Sequence, residues 1–224
     1  MSDSGTADSF IDKWLQRWPE WSVAEAFVPA SQRRTATAWF ALLQELTEAA
    51  WGGSDPTPGL AKLAWWHEEL EGWGKGARRH PLGMELQRLP VPWMRLGREL
   101  NVLPATRGQA AQPALDALEP LAAAVSACEQ GLFAAQPATE DGQAVATAAT
   151  GAALFGARAL LTTDKEDAGW LLARWPRPVA GPLPRRLCSA LMRGRLDAMA
   201  AGKAAEPMSG WRVLAMSWRA SRGR

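Results

Sequence analysis

The chain has 224 residues, 47% of them hydrophobic, enough for one sizeable core and a single domain over 1–224. Alanine and leucine dominate the apolar set, Ile11 is the sole isoleucine and tyrosine is absent, which argues against strands and predicts an all-α fold. The net charge of +2 hides an asymmetry: residues 172–224 carry eleven Arg/Lys against Asp197 and Glu206, a balance of +9, so the other 171 residues sum to −7.

Proline and glycine punctuate the predicted helices. A short amphipathic segment, Ser9–Trp18, stops before Pro19. A second helix starts after Pro29, with Ser31 as its N-cap, and runs through Trp51 to Gly52-Gly53; Ala38, Leu42, Glu45 and Leu46 follow helical spacing in it. Gly52–Gly59 contains Asp55-Pro56-Thr57-Pro58 and reads as a loop. A third helix spans Leu60 to about Trp73, with Leu63, Trp66 and Leu70 on one face. His80-Pro81 opens a short segment and Pro90–Leu100 forms another. Two long Ala/Leu helices follow over about Pro113–Ala134 and Gly142–Thr162, then Lys165–Arg174, Pro184–Ala201 and a last piece near Ser209–Ala220. No fixed-period repeat is present.

Met1–Asp8 has no basic segment followed by an apolar one, so no secretory signal is expected. No window is expected to approach the roughly 20 apolar residues of a membrane span, since even the Ala-rich Ala144–Leu161 carries Thr147, Thr150 and Arg158. The expected location is cytoplasmic, with the basic quarter able to place the protein at the periphery of a membrane. Cys128 and Cys188 match no zinc or redox spacing and are expected as small buried hydrophobes. Nine of the thirteen tryptophans fall within residues 14–93, a pattern that core packing and an aromatic-lined cavity would both produce.

The most distinctive stretch is Leu60-Ala61-Lys62-Leu63-Ala64-Trp65-Trp66-His67-Glu68-Glu69-Leu70, with His80-Pro81 following ten residues later. The preceding helix contains Ala38-Trp39-Phe40-Ala41-Leu42-Leu43-Gln44-Glu45-Leu46. Over about Pro29–Leu86 this resembles the squalene/phytoene synthase family, in which a Trp-Trp helix precedes a His-Pro turn. The resemblance implies an isoprenoid-synthase-like antiparallel helical bundle around an apolar cavity, lined here by Trp39, Phe40, Leu43, Trp65 and Trp66. Active members join prenyl diphosphates by using two Asp-rich motifs to hold Mg²⁺. Hard cations held by carboxylates neutralise the departing diphosphate, and an apolar wall keeps water from the carbocation.

The chain departs from that pattern at its acidic positions. Glu45-Leu46-Thr47-Glu48-Ala49 stands where the first motif is expected, and His67 where active relatives usually carry arginine. For the second motif the candidates are Asp164, Glu166 and Asp167, residues that also suit the capped N-terminus of a helix. Glu45, Glu48, Asp164 and Asp167 are thus the candidate diphosphate and Mg²⁺ groups, with no confident catalytic or metal residue among them.

Three functional readings follow. One is a diverged, non-catalytic family member that binds an isoprenoid or lipid or serves as an assembly scaffold; the family includes such relatives, among them a mitochondrial complex I assembly factor. Another is an active Mg²⁺-dependent prenyltransferase, which requires the two acidic groups to face each other across one cavity. The third is an unrelated helical protein-interaction domain. The basic quarter suits a membrane surface or an acidic protein partner. It lacks the interleaved aromatics of a nucleic-acid motif, so no specific nucleic-acid partner is expected.

Overall fold

Thr6 opens α1 (Ala7–Arg17) by accepting the Ser9 amide on its side chain, and Trp18 closes it just ahead of Pro19. This is a computed structural model that describes residues 6–134, 136, 138–177 and 180–223. The described residues contain helices and no strand. A short α2 (Trp21–Ala24) leads to α3 (Ala30–Trp51), which begins directly after Pro29 without a side-chain cap from Ser31. α4 (Thr57–Gly74) starts earlier than its apolar spacing suggests, because Pro58 sits in its first turn, where no amide donor is needed.

α3 and α4 run antiparallel, as the cross-contacts show: Glu45 meets Lys62, and Gly59 lies against Ala49. The approach is so close that a Cβ at position 59 would stand 1.9 Å from the Ala49 carbonyl oxygen. Only glycine fits there.

The middle of the chain is broken into short pieces: α5 (Gly83–Leu86), α6 (Trp93–Arg98) and α7 (Val102–Ala105). The helix expected over Pro113–Ala134 is in fact two, α8 (Ala111–Ala117) and α9 (Glu119–Phe133). Pro120 explains the break: it has no amide to give and its ring crowds the carbonyl four residues back. α10 (Glu140–Thr162), α11 (Lys165–Ala173), α12 (Leu183–Ala200) and α13 (Gly210–Ser221) complete the chain.

α10 is 23 residues long with a mean hydropathy of 1.5 over its most apolar window, long and apolar enough to cross a membrane by those measures alone. In the fold it packs against α9, α12, α11 and α3. A helix apolar on all sides suits a central position, and Ala146, Ala149, Ala152, Ala153, Phe155 and Ala159 are buried along it. Cys128 and Cys188 are free and buried, as the sequence suggests.

Three buried carboxylates tie the layers together. Glu129 on α9 accepts from the Arg185 guanidinium on α12 and from the Trp39 indole on α3. Glu20 accepts from Arg195 on α12 at 2.6 and 2.9 Å and from the Met208 amide at 3.2 Å. Glu69 on α4 is the third, and it organises the Trp-Trp/His-Pro segment described below.

Candidate functional site

A cavity of about 480 Å³ lies between α1, α3, α10 and α12, with residues 205–207 on its rim. Its walls are Trp14 and Trp18 from α1 and its cap, Phe40 and Leu43 from α3, Leu154, Leu160 and Leu161 from α10, and Met192 from α12. That volume and lining fall within the range of small-molecule pockets, which are mostly apolar with a few polar groups.

Two of the charged groups in its lining are held by buried carboxylates. Arg185 is held by Glu129 and lies 5.2 Å from the Phe40 ring centre; Arg195 is held by Glu20 and lies 4.1 Å from that of Trp18. Cys188 also lines the cavity, and burial pushes its thiol up to about 11. At neutral pH it is a piece of apolar wall rather than a nucleophile.

None of the four candidate carboxylates lines this cavity. α3 turns Phe40, Leu43, Gln44 and Thr47 toward it, while Glu45 turns to the neighbouring helices. One Glu45 oxygen accepts from Lys13 at 2.7 Å and the other from Lys62 at 2.5 Å. Burial opposes ionisation of Glu45, but the two ammonium groups outweigh it and hold its pKa below the ordinary carboxylate value. Glu48 shares Lys13 at 2.8 Å and accepts from the Gln44 amide at 2.7 Å.

Asp164 is exposed and caps α11, accepting the Glu166 and Asp167 amides at 3.0 Å. Asp167 pairs with Arg158 at 2.5 Å, and Arg158 also donates to the Thr106 carbonyl. The structure therefore brings Glu45 and Glu48 together through Lys13, but it commits Asp164 and Asp167 to separate tasks. Among the described residues no group of three or more His, Cys, Asp or Glu side chains could hold a metal ion. These residues do not fit the Mg²⁺–diphosphate cluster that the sequence resemblance implies.

Of the candidate lining residues, Phe40 and Leu43 lie on this cavity, whereas Trp39, Trp65 and Trp66 are not among its lining. Trp39 is fully buried with its N–H on Glu129. Trp66 is fully buried against His80, its ring centre 4.4 Å from the imidazole, and Trp65 is partly exposed beneath Arg79.

The Trp-Trp/His-Pro segment is organised around Glu69. One Glu69 oxygen accepts from the Arg79 amide at 2.6 Å, the His80 amide at 2.7 Å and the Trp73 indole at 2.8 Å. The other accepts from the Arg79 guanidinium at 3.0 Å. Burial pushes this carboxyl up, but the His80 and Arg79 amides with the Trp73 and Arg79 side chains outweigh it and lower its pKa. His80 is desolvated among Phe10, Trp65 and Trp66, which brings its pKa down to about 4 despite the nearby Glu45 and Glu69. Its Nδ1 accepts the Leu82 amide at 3.2 Å, while His67 donates from Nδ1 to the Gly97 carbonyl at 2.9 Å. Both histidines serve structure.

Sequence reading overlooked Trp14 and Trp18 as cavity walls, although their four-residue spacing was a usable signal. No family model, curated protein or solved structure matches this chain.

Proposed function

We propose that this protein is a diverged, non-catalytic member of the squalene/phytoene synthase group, with an isoprenoid-synthase-like bundle, that holds one isoprenoid or lipid chain in the cavity between α1, α3, α10 and α12. The observation that carries this reading is an apolar cavity of about 480 Å³ whose wall contains none of the four candidate carboxylates. Prenyl transfer would require cations at the departing diphosphate. Here Glu45 serves two lysines, Asp164 serves a helix cap and Asp167 serves Arg158. What remains is a mostly apolar receptor with Gln16, Arg17, Gln44, Thr47, Thr163 and Glu206 at its polar edge.

The test is to titrate the purified protein with farnesol and with farnesyl and geranylgeranyl diphosphate, with and without Mg²⁺. Binding is followed by tryptophan fluorescence, because Trp14 and Trp18 line the site, and released diphosphate is assayed in parallel. The expected result is saturable binding that does not need Mg²⁺, without diphosphate release. Mg²⁺-dependent release would establish the prenyltransferase instead. Absence of binding by all three compounds would refute the receptor reading.

A further inference from the structure

α13 carries its apolar residues on the wrong side for a core helix. Val213, Ser217 and Ala220 face inward, packed toward α12 and α2. Trp211, Leu214 and Trp218 face out, 83%, 41% and 46% exposed. They recur at intervals of three and four residues, so they form one stripe along the helix. Of the six large hydrophobic side chains exposed among the described residues, these three share one helix, whereas Leu60, Met84 and Val145 are scattered.

Arginines border the stripe. Arg222 lies over the Trp218 ring with its guanidinium carbon 4.2 Å from the ring centre. Arg212 and Arg219 follow one edge of α13 and, with Arg186 and Arg193 of α12, line a cleft of about 530 Å³ whose one lining carboxylate is Asp197. None of these five arginines makes an ion pair among the described residues. The buried Arg186 Nε also has no hydrogen-bond partner there.

We infer that the outer face of α13, with the arginine cleft beside it, docks on an anionic membrane surface. Three features favour a bilayer over an acidic protein. Tryptophan settles at the membrane–water boundary, where its ring is buried and its N–H stays wet. A one-sided apolar stripe bordered by arginines is the pattern of a helix lying in the interface plane. The cleft presents unpaired cations beside that stripe, where phosphate headgroups would sit. The cavity rim at residues 205–207 lies just before α13 in the chain, but the docking surface does not depend on what the cavity holds.

The test is co-sedimentation of the full chain with phosphatidylcholine vesicles, with and without 30% phosphatidylglycerol, alongside tryptophan emission. The structure predicts binding to the anionic vesicles, little to the neutral ones, and a blue-shifted emission on binding. Trp211→Ser with Trp218→Ser should weaken binding roughly tenfold or more, and each of Arg212→Gln and Arg219→Gln roughly fivefold. Because these side chains are exposed, thermal unfolding of the variants should match that of the parent. No binding to anionic vesicles, or binding that the tryptophan pair leaves unchanged, overturns the inference. A parent chain that ignores vesicles but binds a polyglutamate peptide overturns it in favour of an acidic protein partner.

Discussion

The α3–α6 region and the α12–α13 region use the same residue types in opposite ways. In the first, Trp39, Trp51, Trp66, Trp73 and Trp93 are buried, and all but Trp66 have their indole N–H on an acceptor: Glu129, Leu103 or Thr106, Glu69 and Gln87 respectively. In the last helix Trp211 and Trp218 face out. Charge divides within the α12–α13 region itself: Arg185 and Arg195 of α12 face a carboxylate, whereas Arg212, Arg219 and Arg222 make no ion pair among the described residues. Burial separates the two roles, and residue identity does not: buried Trp66 belongs to the core even without an indole acceptor, while Trp211 and Trp218 lie on the surface.

The sharpest way to break this contrast is to unpair a buried ion. Glu129→Ala strands Arg185 and the Trp39 indole, and it should cost about 3–5 kcal/mol in urea unfolding. Replacing Glu129 and Arg185 together by Leu and Met should recover much of that loss, because neither charge is then left alone. Glu69→Gln should cost about 2–3 kcal/mol by weakening charge-assisted bonds to the His80-Pro81 turn, measured by the same unfolding curves.

A pH series sharpens the picture of His80. Its folded pKa of about 4 lies below the ordinary 6.5, so the unfolded chain binds a proton first. The contribution of neutral His80 is complete above pH 6.5 and is lost as pH falls from there toward 4. Glu45 and Glu69 have lowered pKa values, so their contributions disappear only at more acid pH. The urea midpoint of the parent should therefore fall between pH 6.5 and 4.5, and His80→Phe should flatten that interval.

A smaller effect of opposite sign is expected at Thr163. It ends α10 in the left-handed region, with φ of 55°, where a β-branched residue is strained. Thr163→Gly should raise stability by about 1 kcal/mol in the same assay. Trp211→Ser should change stability least, by under about 0.5 kcal/mol, although it removes the largest exposed side chain of α13.

Much of this fold is legible in the sequence, since Ala/Leu runs bounded by proline and glycine place α3, α4, α10 and α12 within a few residues. Pro120 was equally visible, yet the apolar run around it hid the break between α8 and α9. The candidate site was less legible, because it depends on helix rotation and on distant partners. Nothing local indicates that Phe40 faces the cavity and Trp39 faces away, or that Glu45 has Lys13 and Lys62 as neighbours. The Glu20–Arg195 pair spans 175 residues of chain and carries no sequence signature. The two-way role of tryptophan became visible only with burial.

The measurement that tests the cavity most directly is farnesol binding by the parent and by Ala157→Trp, a substitution that fills the space from α10 at a partly exposed position. A paired variant, Trp211→Ser with Trp218→Ser, serves as the control. The account predicts saturable binding by the parent and the control, and loss of binding in a folded Ala157→Trp protein. Equal farnesol affinity in the parent and in Ala157→Trp would contradict it.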